Sequence, residues 1–382
     1  MATGKANLVV DLGNSETRVL TIFGKMENGT MRCDLHSLDN HFAPLDDDYI
    51  ITSEYDHTNS RVFMQKHTRL CVGDLCRKEF GGSNDFRPSA VEKKYESEVS
   101  EMSMRNAFLQ GYLDISNMIK EPVEDLDIEW DVVVLLPPAD VEEGSEKLSR
   151  MIKGIDEIEF TMPRVTKEIK VKEVRILAEG FCAYIAVMCG LDRKVRTEYQ
   201  HMAKQTTLII DIGAGTTDFI IIENGKPIKA SRYSTPIGGN NVHQRVKGKL
   251  SSKGFDMPED VVKEASEKGY IMDGSKRVSL KKEISDAKNA VARMIVSNIR
   301  DYFESTGFAI RRIQNMIVCG GGAIDGIEDV RPLGEYTEEY MKRLSPNIEL
   351  VELPNVVING KEEKISPRIL NVLGAGIASY RD

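Results

Sequence analysis

One segment, residues 208–222, limits the folds open to this chain, because it joins a hydrophobic strand, a glycine turn and a second hydrophobic strand. The first strand ends at Asp211, and the turn contains Gly213, Gly215, Thr216 and Thr217. Glycine tolerates positive φ and has no Cβ, so such a turn can bring N–H groups and hydroxyls close to a phosphate. The carboxylate at the strand end can hold the magnesium of that phosphate, directly or through water. Ordinary hairpin turns use the same residues, so this segment alone does not distinguish a phosphate-binding turn from an ordinary one.

The segment has a gapless counterpart near the start of the chain. Residues 8–20 place Asp11 where residues 208–220 place Asp211, and the turn after Asp11 contains Gly13, Asn14 and Ser15. Two copies of one phosphate hairpin predict two similar half-molecules that face a shared nucleotide.

Two further glycine clusters occur in the second half. Gly238 and Gly239 open a helix-rich stretch that runs to about residue 307, and N–H groups at a helix start can face a phosphate or a ribose. A run of three glycines, residues 320–322, follows the strand 316–319. Each glycine costs about 1 kcal/mol relative to alanine in regular structure, so we expect close approach to a flat ligand such as adenine with its ribose.

Two stretches rich in small residues are expected to be helices that connect the halves. The first follows Glu179 and Gly180 and runs to Cys189, with Gly190 as its C-cap. The second spans residues 370–378. Small residues allow two helices to approach closely, which suits either a hinge between the halves or tight core packing.

The rest of the chain reads as alternating helices and strands. Periodic apolar residues predict a helix over about 91–121 and a long amphipathic helix through residues 284–302. The apolar run 132–136 predicts a strand buried on both faces, which Pro137 ends. A helix-capable stretch to about 154 and a strand pair over 158–171 follow.

The polar stretch of about residues 30–90 is expected to be a small strand-containing insertion. It contains Cys33, His36, Cys71 and Cys76, whose spacing is a poor match to known zinc sites. Structural cysteines are therefore the favoured interpretation.

Five of these elements, taken in their order along the chain, resemble the nucleotide-binding signature of the superfamily of actin, sugar-kinase and heat-shock-chaperone ATPases. They are the first phosphate hairpin, a connecting helix, the second phosphate hairpin, the adenosine glycines and a second connecting helix. Within it, the chain is most similar to the prokaryotic plasmid-segregation actins of the ParM type. Three local features carry this likeness: Arg18 seven residues after Asp11, the triplet 72–74 (Val-Gly-Asp), and the junction 136–138 (Leu-Pro-Pro).

The resemblance implies a two-lobed α/β fold of the actin-like, duplicated ribonuclease-H-like type, with a mixed five-stranded sheet in each lobe and ATP in the cleft between them. The first lobe is expected over residues 1–174, with the insertion of about 30–90 and with the C-terminal helix 366–382 packing back on it. The second lobe is expected over residues 175–365, with a helix-rich insertion of about 241–307.

Carried over position by position, the resemblance also implies roles for single residues. Asp11 and Asp211 would organise Mg²⁺ and its waters, and Glu179 would orient or activate the attacking water. The residues assigned to the phosphates are Gly13, Asn14, Ser15, Arg18, Gly213, Gly215, Thr216 and Thr217. Those assigned to the nucleoside are Gly238, Gly239, Gly320, Gly321 and Gly322. Glu16 departs from the family pattern and adds a negative charge near the phosphates, whereas Asp218 is shared by several branches.

The charge and composition of the chain limit its expected binding partners and cellular location. With 51 Lys and Arg against 60 Asp and Glu, the net charge is −9, which disfavours direct contact with nucleic acid or an anionic membrane. Six scattered cysteines fit a reducing cytoplasm. No run approaches the ~20 apolar residues of a membrane span, and the first residues lack a signal-peptide pattern. We expect a soluble, cytoplasmic protein.

The leading hypothesis from the resemblance is an ATPase that polymerises into dynamic filaments, hydrolyses ATP slowly, and moves plasmid or other DNA through a DNA-binding adaptor. The alternatives are a small-molecule kinase of the same superfamily, a chaperone-type ATPase module, and a membrane-linked cell-shape actin. No sugar-recognition segment is evident, no long substrate-binding region follows the last helix, and neither terminus is amphipathic.

Overall fold

The computed structural model describes residues 2–46, 48–50, 60–80, 93–324, 326–358 and 361–381. The strands up to residue 178 are β1 (Ala2–Leu12), β2 (Glu16–Lys25), β3 (Met31–Asp39), β4 (Phe42–Leu45), β5 (Ser60–Gln65), β6 (Thr68–Gly73), β7 (Leu126–Leu136), β8 (Glu157–Met162), β9 (Arg164–Glu168) and β10 (Lys170–Ala178). The later strands are β11 (Thr206–Ile212), β12 (Thr217–Glu223), β13 (Lys226–Pro227), β14 (Tyr233–Thr235), β15 (Tyr270–Asp273), β16 (Lys276–Ser279), β17 (Asn315–Cys319), β18 (Glu349–Leu350), β19 (Asn355–Ile358) and β20 (Lys361–Lys364). The helices are α1 (Asp74–Phe80), α2 (Glu98–Ile119), α3 (Val141–Lys153), α4 (Phe181–Met188), α5 (Gly239–Ser252), α6 (Glu259–Lys268), α7 (Lys281–Thr306), α8 (Gly321–Ile324), α9 (Leu333–Leu344) and α10 (Leu370–Ser379).

The two hairpins recognised in the sequence lie in two separate sheets of similar construction. The first sheet has the order β10-β7-β1-β2-β3, with β1 antiparallel to β2 and parallel to β7. The second has the order β13-β12-β11-β17-β18, with β11 antiparallel to β12 and parallel to β17, and β14 adds to β12. Each hairpin thus supplies a central strand of its sheet, in the same orientation relative to its neighbours. The duplication predicted from the sequence is confirmed.

The halves share a middle layer. Alternate residues of β1 point to opposite faces, as strand geometry requires: Leu8 and Val10 pack with α2, whereas Val9 packs in a second cluster. That second cluster also holds α4, α10 and the β11 residue Ile209. The helices α4 and α10 therefore lie between the two sheets, and α5, α7 and α9 cover the far face of the second sheet.

The small insertion differs from the expected one. A separate five-stranded sheet has the order β4-β6-β5-β8-β9, so it recruits residues 157–168 from beyond α3. By contrast, β3 belongs to the first sheet, because residues 31–39 continue pairing along β2. Within the insertion expected over about 30–90, residues 31–39 thus belong to the first sheet, whereas the expected end near residue 90 lies outside the described residues. Pairing between distant strands leaves no local signal, so the sequence did not indicate that residues 157–168 join the small sheet.

The cysteines of the insertion do not gather with His36. Cys33 is buried in the layer between the sheets, whereas Cys71 and Cys76 lie in the core of the small sheet. His36 Nε2 instead lies 3.0 Å from the carboxylate of Asp114. Burial opposes the charge on His36, but the neighbouring carboxylates of Asp114 and Asp34 raise its pKa to about 9.

Several local predictions meet the structure closely, and others do not. The long amphipathic helix is α7, and the buried strand is the end of β7. Gly190 is not a left-handed C-cap: its N–H donates to the Lys194 carbonyl (3.0 Å) in a tight turn that follows Cys189. The helix-rich insertion also contains the hairpin β15–β16, in which Asp273 pairs with Lys276 across a two-residue turn, Gly274 and Ser275. A Gly-Ser pair between two strands is a hairpin signal that the prediction missed. Among the described helices, none has the length and apolar character needed to cross a membrane.

Candidate functional site

Two buried aspartates mark corresponding points of the two halves. Asp11 lies near the end of β1 and pairs in register with Arg18, and Asp211 lies near the end of β11 and pairs with Asp218. Their carboxylates are close enough for the charge of Asp11 to contribute to raising the pKa of Asp211. The two hairpins therefore converge, as the gapless repeat predicted.

The first turn is held by one side chain from the end of β3. Asn40 donates from Nδ2 to the Gly13 carbonyl (2.5 Å), and its Oδ1 accepts from the Thr17 hydroxyl (2.8 Å). Asn14 and Ser15 are half-buried, and their side chains make no hydrogen bond with the part of the chain that the structure describes. Those two polar side chains are free to meet a ligand.

The second turn is supported by the glycines at the start of α5. The N–H of Gly239 donates to the Gly213 carbonyl (3.0 Å), and a Cβ on Gly238 would lie 2.7 Å from that same oxygen. The hydroxyl of Thr217 donates inward to the Ile237 carbonyl (2.6 Å), while Thr216 donates to Asp218 (3.2 Å). Gly215 is buried within the turn. Gly238 and Gly239 thus serve the hairpin itself, and the Thr217 hydroxyl faces the interior.

The run of three glycines approaches the chain's own backbone. Gly320 has φ of +90°, and a Cβ there would lie 2.3 Å from Asp211 Oδ1. A Cβ on Gly322 would lie 2.9 Å from the Gly213 carbonyl oxygen, and a Cβ on Gly321 would lie 3.3 Å from the guanidinium of Arg18. The sequence interpretation assigned all three to a flat ligand, but the second hairpin already explains why Gly320 and Gly322 lack a side chain.

Arg18 bridges the two ends of the first turn. Its guanidinium lies 3.2 Å from the carboxylate of Asp11 and 3.7 Å from that of Glu16. Glu16 also meets Arg368 at 3.4 Å, from a short helical turn just before α10. The additional negative charge that the sequence placed near the phosphates is therefore balanced by two arginines.

Glu179, at the end of β10, faces a lysine that the sequence interpretation missed. Lys94 Nζ lies 2.8 Å from Glu179 Oε1, and Lys94 also lines a small pocket with Gly13 and Asn14 of the first turn. Burial raises the pKa of Glu179 to about 7; Lys94 works against this rise, and Asp11 and Asp211 add to it. Lys94 lies in a turn before α2 that matches no motif, so no sequence signal marked it.

The site holds more negative charge than its own cations offset. Burial, followed by neighbouring carboxylates, raises the pKa values of Asp211 and Asp218 to about 7 each. Together with Asp11 and Glu179 they form a cluster of four carboxylates, against Arg18 and Lys94. Hard divalent cations prefer this oxygen donor set, so the residues fit Mg²⁺.

Comparisons with known proteins agree with this geometry. A sequence model of the family described as archaeal actin homologue MreB-like, C-terminal, matches residues 209–328. The native crystal structure of an archaeal actin homologue has a TM-score of 0.68 at 14% identity, covering 98% of this chain and 99% of that one. A 15-stranded ParM filament from Clostridium botulinum has a TM-score of 0.67 at 15% identity, with 97% and 98% covered. Bacillus thuringiensis ParM with AMPPNP has 0.62 at 15% identity, with 98% of each chain covered. The chain has an actin-like fold.

The actin-like match confirms the resemblance and the fold class inferred from the sequence. The matched family segment begins within β11 and ends after α8, so it includes the second turn, both glycine clusters and α7. The archaeal actin homologue has also been solved in complex with ADP. No curated protein sequence matches this actin-like chain.

Proposed function

We propose that this actin-like chain binds and hydrolyses ATP with Mg²⁺ in the cleft between its sheets. The observation that carries the proposal is the convergence of two equivalent hairpins on Asp11 and Asp211. Related support comes from neighbouring structures solved with AMPPNP and with ADP. We further propose two lobes, as expected over residues 1–174 and 175–365, with the first boundary moved to the end of β10 at Ala178 because that strand completes the first sheet. Residues 366–382 are proposed to return to the first lobe.

The proposed chemistry uses groups already in place. Asp11 and Asp211 would hold Mg²⁺, and the ion would supply positive charge to the phosphates. Asn14, Ser15 and the backbone of both turns contact the phosphates, with Arg18 beside them. Gly321 and the start of α5 border the nucleoside.

Glu179 is the proposed general base. A base works best when its pKa lies near the working pH, and burial places the pKa of Glu179 at about 7. Lys94 holds this carboxylate from the side of the first turn and places a positive charge next to it.

We also propose that the ATP-bound chain polymerises with copies of itself and that hydrolysis weakens the filament. Support comes from the similarity to a ParM filament of 15 strands. The net charge of −9 suits a cargo such as plasmid DNA held through a DNA-binding adaptor, without direct contact with DNA or membrane.

The test combines assembly with chemistry. Purified protein is mixed with Mg-ATP or Mg-GTP, and light scattering, pelleting and phosphate release are followed together. We expect ATP-dependent assembly that fails in Asp211→Ala. We expect Glu179→Ala and its isosteric control Glu179→Gln to assemble but to release little phosphate. Unchanged phosphate release in both Glu179 variants would refute the proposed role of Glu179 as general base. A strictly monomeric protein that phosphorylates a metabolite would refute the filament proposal.

A further inference from the structure

Asn371, at the start of α10, contacts both sides of the candidate site at once. Its side chain is buried, with 5% of the residue exposed. Its Nδ2 donates to the Asp211 carboxylate, and its Oδ1 accepts from the N–H of Gly180 (2.8 Å). One amide therefore links the proposed metal-binding carboxylate to the residue that follows the proposed base.

The Gly180 end of this contact stabilises an uncommon backbone turn. Gly180 has φ of 72° and ψ of −53°, and the N–H of Phe181 donates to the Glu179 carbonyl (2.8 Å). These values define a γ-turn with positive φ at its central residue, which is rare and strained. Such a conformation persists only where its surroundings impose it. Asn371 is one of those surroundings, since it holds the turn's central N–H.

The orientation of the amide follows from chemistry. A backbone N–H can only donate, so the oxygen of Asn371 has to face Gly180. Its NH₂ group then faces the carboxylate of Asp211, which accepts the hydrogen bond and, when ionised, can only accept. An aspartate or a leucine of similar size cannot satisfy both neighbours in this way.

We propose that Asn371 is a positioning residue that sets the Asp211 carboxylate and the Glu179–Gly180 turn in one arrangement. It acts on the metal side of the site through Asp211 and on the water side through the backbone next to Glu179. The proposal rests on the proposed nucleotide function. A solely structural role for Asn371 predicts lower stability and no change in the response to Mg²⁺.

The test uses Asn371→Ala, which removes both contacts, and Asn371→Asp, which keeps an acceptor for Gly180 but opposes Asp211 with a second carboxylate. Ser379→Ala is the matched control, because Ser379 is buried on the same helix and, among the described residues, its hydroxyl reaches only the Gly376 carbonyl, at 3.5 Å. Asn371→Ser supplies the same comparison if Asn371→Ala does not fold. All assays run at least 10 °C below each variant's unfolding midpoint.

Two measurements are made. The first is the difference between the unfolding midpoint with ADP and Mg²⁺ and the unfolding midpoint with ADP and EDTA. This measurement does not depend on ATP hydrolysis. The second is the Mg²⁺ concentration that gives half-maximal phosphate release, together with kcat and KM for ATP. For Asn371→Ala we expect about a tenfold higher Mg²⁺ requirement and about a tenfold lower kcat, because a hydrogen bond to a charged group is lost. Ser379→Ala should match the wild type.

The outcomes separate the two proposals. If ADP with Mg²⁺ does not raise the unfolding midpoint of the wild type, and the wild type releases no phosphate from ATP, the proposed nucleotide function is refuted. The proposed role of Asn371 is then refuted with it. If the wild type responds and Asn371→Ala has the same Mg²⁺ requirement and kcat, Asn371 does not position the site. A uniformly lower midpoint with an unchanged Mg²⁺ response assigns it a structural role alone.

Discussion

Two helical glycines in this protein should respond in opposite ways to the same substitution. Gly374 lies inside α10, where a Cβ would be 1.7 Å from the Cys182 carbonyl oxygen of α4 and 2.9 Å from the Ala186 nitrogen. Gly248 lies inside α5, and a Cβ there would have no neighbour within 4 Å. Both positions share helix geometry, so Gly374→Ala and Gly248→Ala differ mainly in what surrounds them.

The magnitudes follow from that contrast. In an open helical position, alanine is favoured over glycine by about 1 kcal/mol, so Gly248→Ala should raise the free energy of unfolding by up to that amount. At Gly374 the contact distance is half of an ordinary van der Waals separation and involves backbone, so α10 must move away from α4 by on the order of 1.5 Å. Overpacking of well-packed interiors costs about 1–3 kcal/mol, and a backbone clash belongs at the upper end. We expect Gly374→Ala to lower the free energy of unfolding by about 3 kcal/mol.

The assay is urea unfolding followed by circular dichroism, with thermal midpoints measured in parallel. We expect the thermal midpoint of Gly374→Ala to fall by roughly 4 °C, and that of Gly248→Ala to stay level or rise. If both variants shift in the same direction, or if Gly374→Ala is as stable as the wild type, the close crossing of α4 and α10 is wrong.

Three other substitutions test separate parts of the structure. Lys94→Met leaves the buried carboxylate of Glu179 without its cation, so phosphate release should fall about tenfold while ADP binding measured by fluorescence is retained; unchanged release contradicts a role for the lysine. Gly320→Ala adds a Cβ at a φ of +90° and 2.3 Å from a carboxylate oxygen, so it should lower the free energy of unfolding by at least about 2 kcal/mol in urea, and an unaltered midpoint refutes the close approach. The pKa of His36 is raised from 6.5 to about 9, so its ion pairs stabilise the protein fully below pH 6.5 and lose this effect as the pH rises through 9. Because the ring is 38% exposed, His36→Gln should cost only about 1 kcal/mol at pH 6 and nothing at pH 10, and an equal cost at both pH values contradicts the pairing.

The parts of the fold that could be predicted from sequence are those with short-range signals. The glycine turn after Asp211 and its counterpart after Asp11 each lie within about 15 residues, and their equivalence carried the prediction of two similar sheets. The apolar face of α7 could also be predicted, because the apolar residues of an amphipathic helix recur every three to four residues. Resemblance to a known superfamily supplied the order of the elements.

The features that sequence did not predict depend on contacts between distant residues. Strands β8 and β9 join a sheet whose other members precede them by about 85–125 residues, and nothing local in residues 157–168 indicates this pairing. Lys94 reaches the site from a turn that carries no motif, and Asn371 reaches it from a helix that the sequence marked only by its small residues. The run of three glycines was recognised as unusual, but its packing against Asp211 could be seen only once β11 and β17 were side by side.

The shared middle layer has a consequence for how the chain folds during synthesis. The inner face of the first sheet, made by strands that begin at residue 2, is covered in part by α10, whose residues are 370–379. Until α10 has left the ribosome, Val9, Leu20 and their neighbours lack part of their apolar cover. Contacts of such long sequence separation form slowly, and exposed apolar surface favours aggregation. We therefore expect chaperones to bind this protein mainly during synthesis, while the apolar face of the first sheet is still exposed.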